Sequence, residues 1–280
     1  MSAVPNRAAS RKIEYRWLDG LTRGPGCYLE MGAPEAPPLV FLHGFGGDLL
    51  TWQYCLVAFA NRFRVLALDL PGHGRSTLDV GRGTLDEMVA WVEEALDALE
   101  VETGHFVGHS MGGKIALALT LARPERVRSL SLVSPAGLGG PFDLELLHRF
   151  TDCSTPAAAL EIAGRLVGSD APALLGSIAR SLVAPPDRAA RQEAYGRLLG
   201  HAAAIGHSLG TDGPTGDQVP WTRVNRPLQV IWGEADTVLP LPDPARLPPG
   251  APFTALAGVG HLPQIEAPGR LIPLLDRFLP

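Results

Sequence analysis

Residues 108–113 read Gly-His-Ser-Met-Gly-Gly. Gly108, Ser110 and Gly112 fill the fixed positions of a G-x-S-x-G turn, in which a serine is raised between a strand and a helix. A serine hydroxyl is a weak nucleophile. It reacts with a carbonyl only when it is exposed, faced by a base, and opposed by N–H groups that take up the developing oxyanion. A sharp strand-to-helix turn exposes Oγ and aims the first N–H groups of the helix at the reacting carbonyl. The glycines two residues to either side remove side chains that would collide there. The same pentapeptide can also be a plain tight turn in which Ser110 only caps a helix, so the rest of the chain has to choose between these readings.

A serine nucleophile needs a base and a group that orients the base. His261 lies in Gly258-Val259-Gly260-His261-Leu262-Pro263, and Asp236 lies in Trp232-Gly233-Glu234-Ala235-Asp236. Small residues ahead of His261 let the loop bend its imidazole back toward the serine. Glu234 is a rival acid two residues from Asp236. Asp69 also ends an apolar run, but the Pro-Gly-His-Gly-Arg-Ser turn after it gives it a structural task. The position after Val133 is Ser134, which cannot act as an acid. His73, His105, His109, His148, His201 and His207 are read as packing, capping or solvated residues, with contact to substrate left open for the last three.

These residues must be placed by strands and helices. Ile13–Asp19 and Cys27–Met31 flank a Gly-Pro-Gly turn and predict an opening hairpin. Continuous apolar runs at 38–42, 63–68, 104–107, 127–133, 228–232 and 252–256 predict buried strands. Thr84 to Leu99 repeats Met88, Trp91, Val92, Ala95, Leu96 and Leu99 at helical spacing, Met111–Ala122 predicts a second helix, and 271–279 a closing one. Buried strands alternating with helices give an α/β fold with a mostly parallel sheet covered on both faces. Reactive groups should gather beyond the carboxyl ends of its strands. Residues 136–222 break the alternation and predict short helices near 142–150, 156–167, 171–182 and 187–204, followed by the glycine-rich 209–216. We read 1–135 and 223–280 as the core and 136–222 as an inserted helical cap. Cap side chains such as Leu146, Phe150 and Leu174 are expected to set substrate choice.

Composition narrows the class. A chain of 280 residues with 46% hydrophobic and 19% charged residues buries a large core, and a net charge of -5 favours neither nucleic acid nor an anionic membrane. Residues 1–12 lack the apolar stretch of a secretory signal, and no run of 18 apolar residues predicts a membrane span. Cys27, Cys55 and Cys153 are scattered, with no metal-ligand spacing, and are expected to be buried small hydrophobes in a cytoplasmic protein. No dinucleotide fingerprint or phosphate loop is present. No cofactor and no metal are expected, and a small molecule is the expected partner.

Five ordered segments carry a resemblance: His43-Gly-Phe-Gly-Gly47, Asp69-Leu-Pro-Gly-His-Gly-Arg-Ser76, the serine turn, the Trp-Gly-x-x-Asp turn and the Gly-His261 loop. Over roughly residues 13–280 the chain resembles the α/β-hydrolase-fold family, in which nucleophile, acid and base follow in the order Ser110, Asp236, His261. The resemblance selects Asp236 over Glu234. It also implies an oxyanion hole made by the backbone N–H groups of Phe45 and Met111, with His43 and Gly44 shaping that loop. The His-Gly-Phe-Gly-Gly-Asp start, the Val133–Gly139 segment and the Ala/Leu-rich insertion are similar to the hydrolase-like region of proteins named as the acyltransferase subunit of acetoin dehydrogenase complexes. That name normally goes with an N-terminal lipoyl domain, which is not expected here. Lipoamide acyltransferases also use a His-x-x-x-Asp-Gly motif. His148 to Asp152 is followed by Cys153, and His207 lies five residues from Asp212-Gly213, so neither fits. The resemblance therefore implies a serine hydrolase of a small, largely apolar ester or thioester. C–C bond hydrolysis of a diketone, acyl transfer, and a non-catalytic ligand-binding module on the same fold are the alternatives.

Overall fold

The opening hairpin pairs β1 (Arg16–Leu18) with β2 (Gly26–Met31) antiparallel, and β2 then pairs antiparallel with β4 (Arg64–Leu68). All remaining neighbours are parallel: β3 (Pro38–Leu42), β5 (Gly104–His109), β6 (Val127–Val133), β7 (Leu228–Gly233) and β8 (Phe253–Leu256). The eight strands lie in the order β1-β2-β4-β3-β5-β6-β7-β8. The computed structural model describes residues 14–138, 143–169, 171–183, 187–204 and 219–280. Ile13 and the glycine-rich 209–216 lie outside them.

Strand side chains alternate between the two faces, so each face makes its own core. Leu39, Phe41, Val65, Ala67 and Val107 pack with Cys55, Leu56 and Phe59 of α1 (Gln53–Phe59) and with Leu271 and Leu275 of the last helix. Val40, Leu42, Leu66, Leu68 and Phe106 pack on the other face with α2 (Leu85–Ala98) and α3 (Met111–Ala122). The helical periodicity of α2 is its buried stripe, Met88, Trp91, Val92, Ala95 and Leu96. Its start is fixed by a capping box. The Thr84 hydroxyl accepts the Glu87 N–H, and the Glu87 carboxylate accepts the Thr84 N–H.

Between β6 and β7 the chain forms α4 (Leu144–Asp152), α5 (Pro156–Leu166), α6 (Leu175–Val183) and α7 (Arg188–Ala204). Each lies near its expected span. α6 starts late because Pro172–Leu174 form a 3-10 turn. After β8 come α8 (Pro263–Glu266) and α9 (Pro268–Phe278), so the closing helix starts earlier than its apolar pattern implied. Several short elements were not anticipated, among them α1 and the 3-10 turn Leu49–Trp52 that leads into it. The signal for that turn was available, since Asp48 caps the turn by accepting the Leu50 N–H and Leu49, Trp52 and Leu56 share a buried face. All three cysteines are free and buried, and burial pushes the Cys27 and Cys55 thiols up to about 12, which keeps them unreactive. No helix among the described residues is long and apolar enough to cross a membrane.

Asp69, at the end of β4, joins these pieces. Oδ1 accepts the Leu49 N–H at 2.8 Å and Oδ2 accepts the Arg75 N–H at 2.7 Å. Burial raises its pKa, against the pull of His43 and of these two donors. Gly74, with φ of 51°, sits so close that an added Cβ would fall 2.0 Å from the Asp69 carboxyl carbon. We expect Asp69→Ala to lower stability by about 2–3 kcal/mol, because two largely buried N–H groups lose their acceptor. A urea-derived unfolding free energy that falls by less than about 0.3 kcal/mol would show the turn to be held by other contacts.

Candidate active site

The serine turn is built at backbone contact distance. Ser110 has φ of 50° and ψ of -115°, outside the ordinary regions for a residue with a side chain. Its N–H donates to the Val133 carbonyl at 3.1 Å, and its carbonyl accepts the N–H groups of Lys114 and Ala136 at 3.1 and 3.0 Å. A Cβ on Gly108 would lie 2.5 Å from the Gly112 carbonyl oxygen, and one on Gly112 would lie 2.4 Å from that of Leu42. The two motif glycines are therefore required by the approach of α3 to β5 and β3.

His261 follows β8 and Asp236 follows β7, so both loops leave the carboxyl edge of the sheet beside Ser110. His261 Nδ1 lies 2.7 Å from Asp236 Oδ2, and His261 Nε2 lies 3.1 Å from Ser110 Oγ. Because the carboxylate only accepts, Nδ1 carries the proton, leaving the Nε2 lone pair to accept from the serine hydroxyl. The other Asp236 oxygen accepts the N–H groups of Val238 and Leu239 at 2.9 and 2.8 Å. All three side chains are buried. Glu234 is exposed to solvent and makes no such contact. Ser134 sits under this group and accepts the Gly233 N–H at 3.4 Å.

Phe45 lies on the loop after β3, and Met111 is the first residue of α3, where an N–H has no acceptor within the helix. Both line a cavity with Ser110 and His261. His43 shapes that loop as expected. Its Nε2 accepts the Leu70 N–H at 3.0 Å, and Nδ1–H donates to the Gly44 carbonyl at 2.8 Å. Gly44 admits the neighbouring groups, since a Cβ there would lie 2.7 Å from His109 Nδ1 and 3.0 Å from Ser110 Cβ. Phe45 stacks in turn on Tyr195 of α7 and Phe150 of α4, with ring centroids 4.7 and 5.9 Å away. Burial lowers the His73 imidazole beneath them to about 3, so it packs as a neutral ring.

The cavity has a volume of about 140 Å³. Leu85 and Met88 of α2, Leu147 and Phe150 of α4, and Leu198 and Leu199 of α7 give it apolar walls. Of the three insertion residues expected to face substrate, Phe150 lines this cavity. Leu146 is buried in the core instead, with Leu147 taking its place, and Leu174 is not among the lining residues. The one-residue error in α4 follows from two adjacent leucines, whose facing a short helix pattern does not resolve.

Two groups that sequence reasoning missed hold the His261 loop. His109, treated as packing, donates its Nε2–H to the His261 carbonyl at 2.7 Å. Burial and the adjacent His261 lower its pKa well below the ordinary value, so it carries a single N–H and spends it there. Glu266 of α8 accepts three N–H groups, from Gly168 at 2.7 Å, Gly260 at 2.9 Å and Leu262 at 2.9 Å. The His261 N–H donates to the Leu166 carbonyl at 2.8 Å, and Arg165 and Thr237 exchange hydrogen bonds beside Asp236. The end of α5 is thereby bonded to both the Asp236 loop and the His261 loop. Glu three positions after Pro263 was visible in the sequence, but its loop partner Gly168 lies 98 residues away. Glu266→Ala should speed amide exchange at Gly168, Gly260 and Leu262 by at least about ten-fold while leaving the β5 amides Phe106–His109 protected. Unchanged exchange at those three amides would remove Glu266 from this role.

A family model described as alpha/beta hydrolase fold matches residues 37–268. The chain is 33% identical over 246 residues to the dihydrolipoyllysine-residue acetyltransferase component of the acetoin cleaving system of Cupriavidus necator, covering 87% of this chain and 64% of that protein. It is 34% identical over 255 residues to the protein of the same name from Pseudomonas putida, covering 90% and 66%. The chain thus spans a little under two thirds of the length of these relatives. Among solved structures, 2-hydroxy-6-oxo-6-phenylhexa-2,4-dienoate hydrolase from a Rhodococcus species superposes with a TM-score of 0.77 at 22% identity, covering 95% of this chain and 98% of that one. With the family model spanning most of its length, the chain belongs to the α/β-hydrolase-fold family.

Proposed function

We propose that this chain is a serine hydrolase acting on a small, largely apolar ester or thioester, with Ser110, His261 and Asp236 as its catalytic residues. The observation that carries this reading is the unbroken hydrogen-bonded series from Asp236 through His261 to Ser110 Oγ at a positive-φ turn. In this reading Ser110 Oγ attacks the carbonyl as its proton passes to His261 Nε2. Asp236 fixes the tautomer and stabilises the imidazolium that forms. The N–H groups of Met111 and Phe45 hold the oxyanion, each supplying about 3–4 kcal/mol to the transition state. His261 then returns the proton to the leaving group, and water, activated by the same imidazole, cleaves the acyl-enzyme. Residues 136–222 serve as the cap, since α4 and α7 contribute apolar walls to the cavity.

Acyl transfer, the activity named for the acetoin-system relatives, stands second. Transfer needs a bound acceptor that outcompetes water at about 55 M. His148 and Asp152 lie together on α4 without the following glycine that the acyltransferase motif requires. His207 lies outside the described residues.

Two outcomes test the assignment. A fluorophosphonate should label Ser110, and Ser110→Ala should abolish both labelling and hydrolysis of short p-nitrophenyl esters while the protein stays folded. An adduct on another serine sinks the assignment. Asp236→Asn should lower kcat roughly a thousand-fold or more, whereas Glu234→Gln should change it by less than about three-fold. The reverse ranking transfers the acid role to Glu234.

A further inference from the structure

Lys114 is placed where a lysine has little structural reason to be. It lies in the first turn of α3, and its N–H donates to the Ser110 carbonyl, so it sits one helical turn, about 6 Å of rise, beyond the candidate nucleophile. A cation near a helix N-terminus is disfavoured by the helix dipole. Lys114 lines the same cavity as Ser110 and His261, and no aspartate or glutamate is among the described lining residues. The side chain forms no hydrogen bond or ion pair with any described residue, and burial alone lowers its pKa, to about 8. At neutral pH it is still mostly an ammonium, partly buried beside apolar walls with no counter-ion among the described residues. Such a charge is costly until an anion joins it. Among the described residues, His201 and His261 are the other titratable groups lining the cavity, and neither supplies negative charge.

We propose that Lys114 is the counter-ion for a carboxylate carried by the substrate. The substrate class is then the half-ester or half-thioester of a dicarboxylic acid. Its scissile carbonyl meets Ser110, and its free carboxylate lies across a short aliphatic spacer along the apolar wall. This assignment rests on the serine-hydrolase reading and narrows it. The competing account is that the lysine stem merely packs on the wall while its head reaches water.

The experiment compares monoethyl succinate, glutarate and adipate with ethyl esters of the matching monocarboxylic acids. The native protein should prefer at least one half-ester in kcat/KM. Lys114→Met should reduce that preference by about ten-fold or more, chiefly through KM, and Lys114→Arg should keep part of it. Direct binding of the same half-ester is measured by calorimetry on Ser110→Ala and on Ser110→Ala/Lys114→Met, with the second expected to bind about ten-fold more weakly. A preference left intact by Lys114→Met, or Ser110→Ala protein that binds the neutral ester as tightly as the half-ester, overturns the assignment. Failure of Ser110 to take a fluorophosphonate overturns the hydrolase reading alone, because the calorimetric comparison still decides whether Lys114 binds the carboxylate.

Discussion

The backbone at Ser110 is the constraint on which the rest of this structure depends. A residue with a side chain held at φ of 50° and ψ of -115° costs on the order of 1–3 kcal/mol unless its surroundings leave no alternative. Here the surroundings do so. β5 is central in the sheet, with β3 on one side and β6 on the other, and its last residues are wholly buried. The Ser110 N–H is tied to β6, and its carbonyl is shared by α3 and the segment leaving β6. Because α3 then runs back across β5 with glycine against backbone, the turn cannot relax without separating a helix from the sheet.

Charge placement follows the same economy. The Asp236 carboxylate is buried but accepts two N–H groups from its own loop and one from His261, so its burial is compensated by short-range donors. His109 and Glu266 then act on the main chain around His261 and not on its ring. The imidazole keeps its two nitrogens for Asp236 and Ser110, and the loop is fixed by groups that do not compete for them.

Much of this was legible in the chain because the signals are local. β6 falls on the apolar run 127–133, α2 on its buried stripe and its capping box, and the three loops on small residues at strand ends. Ser110 and His261 could be chosen because each follows a strand of a parallel sheet, a topology that collects such positions at one edge, whereas Asp236 was separated from Glu234 by the family resemblance. What stayed hidden depended on distance in sequence or on helix facing. Glu266 was silent until Gly168 came beside it, and Leu147 could not be told from Leu146. α1 was obscured because its seven residues are too few for a period to emerge. The odd charge at Lys114 had no meaning until the described residues lining the cavity around it proved to include no carboxylate.

The junction at the end of α5 has a mechanical consequence. A Cβ on Gly168 would fall 2.2 Å from the Gly258 carbonyl oxygen, and one on Gly233 would fall 1.9 Å from that of Gly260. Three chain segments therefore touch through bare main chain, with Glu266 and Leu166 riveting them together. Such a joint transmits force and does not bend. If α5 moved as a rigid unit, it would pull the loops of His261 and Asp236 with it. α4 and α7, which also wall the cavity, are the elements that can yield without disturbing that joint.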